Sequence, residues 1–298
     1  MAAATCWSIA AAAALLTAAL CAWGAIRVRG TTAVPAALWA LGAAVALAAE
    51  TGCRAAGGLA DPASGTAARL AVVALSVCPA MSLLGAKRPQ HGAWQFIVAA
   101  LAVVIALPAV SAALVRPGTA PDVGLLWRGF LVVLVAVGWM NFAATRRAVA
   151  ATLVAAGHLL IARHCLPFAP PASGGTDARP DLVAACLIAG GAALAAAQGA
   201  WRRPPAGARA WIDRPYLAIR ETLGAAWALR IAERFNALAA ERGWPCRLGF
   251  AGLDPGAAAD GPWRPDAERA FRAILRRFAA PDWLARHAPP ENADGPHG

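Results

Sequence analysis

Lysine and tyrosine are nearly missing from this chain: Lys87 is the single lysine among 27 basic residues, and Tyr216 is the single tyrosine. Charged residues of both signs make up only 14% of the sequence, against about a quarter in ordinary soluble domains. Short catalytic signatures are lacking too. There is no His-Glu-x-x-His pair for a metalloprotease zinc, no Gly-x-Ser-x-Gly elbow for a serine hydrolase, and no Gly-rich loop to cradle a phosphate. The seven cysteines, at positions 6, 21, 53, 78, 165, 186 and 246, include no Cys-x-x-Cys pair. That pattern is neither a disulfide framework nor a zinc site. No cofactor, no metal site and no catalytic residue is expected, and a non-catalytic role follows.

What is present is apolar. Hydrophobic residues reach 59% and the mean hydropathy is +0.54, which places the chain among polytopic membrane proteins with a lipid bilayer as solvent. The net charge of +11 is unevenly spread. Residues 1–205 hold 14 basic and 5 acidic residues, a net of +9; residues 206–298 hold 13 and 11, a net of +2. A nucleic-acid module concentrates charge on its soluble part, so no nucleic-acid partner is expected.

Seven apolar runs succeed one another: 5–26, 31–49, 67–86, 93–115, 123–144, 148–162 and 182–201. Most approach the roughly 20 residues that a membrane helix requires. The 123–168 stretch organises the others, since only Arg146-Arg147 separates its two runs and forces a tight hairpin. The sixth run is the shortest, cut by Arg163, His164 and Pro167. Paired basic residues occupy every second loop: Arg27 and Arg29, Lys87 and Arg88, Arg146 and Arg147, Arg202 and Arg203. The alternate loops carry arginine singly and all five acids. The positive-inside rule then sets the N-terminus outside and the C-terminus in the cytoplasm, across a bacterial-type cytoplasmic (inner) membrane. Trp7 and Trp127 fit an outer aromatic belt and Trp23, Trp94 and Trp201 an inner one, whereas Trp39 falls mid-run. Arg27, Arg88 and Arg147 recur about every 60 residues, a spacing that hairpin repeats or merely short loops would both produce.

The expected fold class is therefore all-α: a bundle of about seven transmembrane helices over 1–205, a small cytoplasmic amphipathic-helical domain over 206–288, and a disordered tail over 289–298. Within the domain, Tyr216, Ile219, Leu223, Trp227, Ile231, Phe235 and Leu238 fall at helical spacing, which predicts one long amphipathic helix over 211–241. Residues 246–253 suggest a short extended segment, and a second helix begins near Pro265 and stops at Pro281.

Two candidate functional sites follow. Glu50, Asp122, Arg128 and His158 lie near the outer ends of the runs, with Arg163, His164 and Asp181 close by. Ionisable groups in a span are costly and mark ligand or proton paths; ordinary helix-end charges plus one packed histidine account for the same residues. The other is the stripe Tyr216, Leu223, Trp227 and Ile231, which needs a cover: it marks a docking face for a cytoplasmic or membrane protein partner or for the membrane surface, unless the second helix with Trp244, Phe250 and Trp263 closes a self-contained mini-core over it. Docking is the leading expectation, and a small-solute or ion transporter using the polar site at helices five and six is the alternative. Cys78-Pro79-Ala80-Met81 offers soft sulfur ligands for copper(I) but is more simply a proline kink beside packed sulfurs.

Overall fold

The computed structural model describes residues 2–59, 61–88, 90–116, 118–119, 121, 123–166, 178–201, 205–254 and 261–287. Among these described residues, seven helices form the N-terminal part: α1 (Ala2–Arg27), α2 (Val34–Ala55), α3 (Pro62–Leu84), α4 (His91–Leu114), α5 (Leu125–Ala143), α6 (Ala148–Ile161) and α7 (Arg179–Ala200). Local chemistry starts several of them. Pro62 opens α3 where its missing N–H costs nothing, and the Asp61 side chain accepts the Ser64 N–H at 2.8 Å as an N-cap.

Six of the seven are long and apolar enough to cross a bilayer, so this is a polytopic helical membrane protein. The exception is α6, whose 14 residues rise about 21 Å against a hydrocarbon core of about 30 Å. The expected seven spans thus resolve into six long helices and one short one. The reason is chemical: Arg163 and His164 end the apolar run, and a 3-10 turn, Arg163–Cys165, continues the chain instead.

Six helices close a ring. Neighbours around it are α1, α2, α3, α5, α6 and α7, with α7 returning to α1, while α4 packs on the outside of α3. Between α6 and α7 the backbones approach closely at two glycines. A Cβ on Gly157 would stand 2.9 Å from the Ala184 carbonyl oxygen, and one on Gly191 would stand 2.8 Å from that of Ala150. Small residues of this kind let membrane helices meet backbone to backbone. Trp39 is also explained. The second helix begins at Val34, so this indole sits in its second turn, where Nε1 donates to Gln95 Oε1 at 2.9 Å.

The C-terminal domain contains α8 (Ala210–Leu223), α9 (Ala225–Arg242), a hairpin of β1 (Leu248–Gly249) and β2 (Gly252–Leu253), α10 (Arg264–Leu275) and α11 (Pro281–His287). The expected continuous 211–241 helix is two helices, broken at Gly224, whose φ of +87° suits glycine alone among common residues. The extended segment is a two-stranded antiparallel hairpin pairing Leu248 with Leu253. Pro281 ends nothing; it starts α11. Residues 289–298, expected to be disordered, lie outside the described residues.

The domain is fastened to one end of the bundle. Thr32 N–H donates to the Phe278 carbonyl at 2.9 Å, Arg88 N–H to the Arg277 carbonyl at 2.9 Å, and Trp227 Nε1 to the Leu83 carbonyl at 2.7 Å. Ala33 and Ala86 from the bundle loops join the domain's own core. This is the domain end of the bundle, and the opposite one is the distal end.

Candidate functional site

Charge inside the bundle gathers at the distal end, in a network that joins five helical segments. Glu50 and Arg54 lie one turn apart on α2, and Arg54 Nε donates to Glu50 Oε1 at 2.5 Å. Arg69, seven residues into α3, donates through Nη2 to Glu50 Oε1 at 2.9 Å and through Nη1 to Asp181 Oδ1 at 2.8 Å. Asp181 sits in the first turn of α7 and accepts both terminal nitrogens of Arg163, at 2.7 and 2.8 Å. The Arg54 guanidinium lies 5.1 Å from the ring centre of Trp7 on α1. Glu50, Arg69 and Asp181 are only 5%, 6% and 6% exposed.

Three arginines against two carboxylates leave a surplus positive charge. Backbone oxygens take part of it: Arg54 Nη2 donates to the Gly65 carbonyl at 2.7 Å, and Arg163 Nη1 to that of Leu160 at 3.0 Å. Arg69 bridges both acids, so the network works as a clasp holding α2, α3 and α7 together. Breaking such a pair strands a buried charge.

The sequence anticipated this site in part. Glu50 belongs to the network, as do Asp181 and Arg163. Arg128 is not among its partners: its Nε donates to the Val123 carbonyl at 2.7 Å and its Nη1 to that of Leu166 at 3.4 Å, tying the chain after α6 to the start of α5. Asp122 lies outside the described residues. The clasp's centre, Arg69, was not among the residues expected at the polar site; the Glu50/Arg54 spacing of four was the available clue, since it puts both on one helix face.

His158 stands elsewhere, on the wall of a central cavity. This cavity of about 310 Å³ runs within the ring and is lined from every ring helix, among others by Thr17, Leu47, Val77, Gly138, Ala151, His158 and Ile188. Its lining is mostly apolar. At the domain end it meets Asn141 and Arg147. From Arg147 to His158 is eleven residues of α6, about 16 Å. Arg147 is the unusual member. Its backbone N–H donates to Thr145 Oγ1, but among the described residues its guanidinium makes no hydrogen bond or ion pair. The acid acting on it, Glu221, is already paired with Arg220 at 2.7 Å. In sequence Arg147 read only as a topology anchor.

The second expected site is corrected. Tyr216, Leu223, Trp227 and Ile231 form no open face: they are 0%, 0%, 7% and 1% exposed. They pack into a core with Phe235, Phe271, Leu275 and Phe278 from α9, α10 and the turn that follows. Trp227 lies 5.1 Å, centre to centre, from Phe278. Sequence spacing identified the stripe correctly as needing cover. It did not disclose that the break at Gly224 folds α8 against α9, so that the stripe largely covers itself.

Asn141, near the end of α5, couples cavity and domain. Its Nδ2 donates to the Leu223 carbonyl at 3.0 Å, and its Oδ1 accepts the Ala226 N–H at 3.0 Å. One amide thus satisfies the last carbonyl of α8 and an otherwise unpaired amide in the first turn of α9. Cys78 and Met81 pack with Val98 and Ala102, and the Cys78 thiol donates to the Ala74 carbonyl at 3.2 Å. Among the described residues no group of three or more His, Cys, Asp or Glu stands where a metal could bind. Neither family models, curated proteins nor solved structures provide a match to this chain.

Proposed function

We propose that this chain is an integral membrane protein that binds an amphiphilic anion, with the apolar body in the central cavity and the acidic head against Arg147. The observation that carries this reading is the Arg147 guanidinium, which has no hydrogen bond or ion pair among the described residues, at the end of a mostly apolar cavity. A charge left so is costly, and a carboxylate or phosphate would offset that cost with charge-assisted hydrogen bonds. Asn141, beside it on the cavity wall, contacts the break between α8 and α9, so occupancy would be felt in the domain. Transport of the same ligand is a second reading, favoured by His158 on that wall. A protein partner would have to use a surface other than the buried Tyr216–Ile231 stripe.

The domain end carries the loops with Arg27 and Arg29, Lys87 and Arg88, and Arg146 and Arg147. By the positive-inside rule that supports a cytoplasmic domain and an outer N-terminus in a bacterial-type inner membrane. A reporter active only outside the cytoplasm is expected to work when fused after Asp61 and to fail after Gly207.

Binding of a long-chain fatty acid and of the corresponding alcohol to the purified full chain tests the ligand class. A hydrogen bond to a charged group is worth about 1.5–3 kcal/mol, so Arg147→Ala should weaken the acid by roughly tenfold to a hundredfold and leave the alcohol unchanged. Equal binding of acid and alcohol by the parent, or an unaltered affinity in the variant, overturns the reading.

A further inference from the structure

A second concave site lies outside the ring, where the domain meets the α3–α4 loop. It is a groove of about 640 Å³ whose basic lining comprises Lys87, Arg230, Arg234, Arg242 and Arg277, with Trp94 and Trp227 among the apolar walls and no acid among its lining residues. Arg242 is paired with Asp266 at 2.8 Å. Lys87, Arg230, Arg234 and Arg277 have no ion pair among the described residues, and the Arg230 guanidinium instead lies 5.1 Å from the Trp227 ring centre. Four such cations drawn from three separate elements repel one another, and among the described residues no carboxylate pairs with them.

We propose that this groove binds the phosphate headgroup of an anionic membrane phospholipid. Charge calls for an anion, and position selects a lipid. The groove floor includes Leu84 and Gly85 at the end of α3 and Trp94 at the start of α4, which is where a span leaves the hydrocarbon. Leu84 is 45% exposed, and Phe96 and Ile97, just inside α4, are 78% and 49% exposed. An apolar lip therefore continues from the groove onto the lipid-facing side of α4. A phosphate held by Arg230, Arg234 and Lys87 would leave its acyl chains along that lip. Basic recesses at the membrane boundary are suited to such headgroups, and Trp94 is placed as an interfacial indole.

The groove shares Leu84 with the Arg147 cavity but none of its charged residues, so the two proposals fail independently. The test is retention of phosphatidylglycerol and of phosphatidylcholine by the full chain, measured by native mass spectrometry after exchange into a neutral detergent. Inorganic phosphate serves as competitor. The parent should retain phosphatidylglycerol preferentially, and the double substitution Arg230→Ala with Arg234→Ala should cut that retention about tenfold or more. Arg276→Ala, an exposed arginine outside the groove lining, should leave it unchanged. Arg277→Glu is a second variant if the double one folds poorly, and it should lose retention to the same degree. Equal retention of the two lipids, or retention by either groove variant at the parent's level, overturns the proposal. Displacement of the lipid by low concentrations of inorganic phosphate also overturns it, by showing a site for soluble phosphate compounds.

Discussion

Arg69 is the residue on which the distal end depends. It donates to Glu50 and Asp181 at once, so Arg69→Leu would leave two buried carboxylates short of their shared partner. Removing one member of a buried pair costs about 3–5 kcal/mol, and the thermal midpoint of the purified protein should fall accordingly. Arg163→Leu should cost less, because Arg163 touches Asp181 alone of the two acids and is 25% exposed at its side chain. Combining Arg69→Leu with Glu50→Gln should cost less than the two single losses added together, since the charges being stranded are then fewer. A second residue gives a pH signature outside the membrane. Burial pushes the Asp213 carboxyl above its ordinary value of 3.8, although the Leu253 N–H donor at 2.7 Å and Arg209 pull the other way. A raised carboxyl contributes stability below its unfolded value and loses that contribution as pH rises through the folded value. Asp213→Asn should therefore stabilise the protein relative to the parent at pH 7 and show a shrinking advantage as pH falls toward 4. A constant difference across that range, read from thermal midpoints, would contradict this account.

At the scale of elements, α6 is the part whose length and packing disagree most with a simple span. It is short, and it compensates by lying against α7 through Gly157 and Gly191. The α6–α7 interface has no room for a side chain at either position, so Gly191→Val must push the helices apart or distort one of them. Overpacking of this sort costs about 1–3 kcal/mol. Because Ile188 and Ala192 line the central cavity on the same helix, the substitution should also weaken fatty-acid binding, whereas Gly190→Ala, with nothing within 4 Å of an added Cβ, should be silent in both assays. The break between α8 and α9 was invisible to periodicity for a related reason. The apolar stripe keeps helical spacing on both sides of Gly224, and only the positive φ at that residue, fixed by Asn141 reaching in from α5, turns one helix into two.

For the whole molecule, the question is whether bundle and domain move as one body. Asn141 is the contact most directly placed between cavity and domain. Asn141→Ala removes two hydrogen bonds of about 0.5–1.5 kcal/mol each, leaving the Leu223 carbonyl and the Ala226 N–H without their partner. Amide hydrogen exchange around residues 223–228 should accelerate, while exchange in α10 should change little because Phe271 and Leu275 stay buried in the domain core. Uniform acceleration across the domain would instead mean that Asn141 holds the whole fold.

The linear chain determined the class, the positions of six long helices, the alternation of their ends and the existence of an amphipathic domain, because each depends on local composition or on spacing within one element. Glu50 and Asp181 were legible as charges in costly places, and Tyr216, Leu223, Trp227 and Ile231 as a face requiring cover. What they contact was not legible. Arg69 meets Asp181 across 112 positions of sequence and Trp227 meets Leu83 across 144, and no local pattern encodes which charge finds which partner. The central cavity exists only because six helices close a ring, and Glu221, the acid acting on Arg147, is paired with Arg220 instead. Those outcomes belong to tertiary packing, where side chains distant in sequence compete for the same few partners in a medium that offers no water as a substitute.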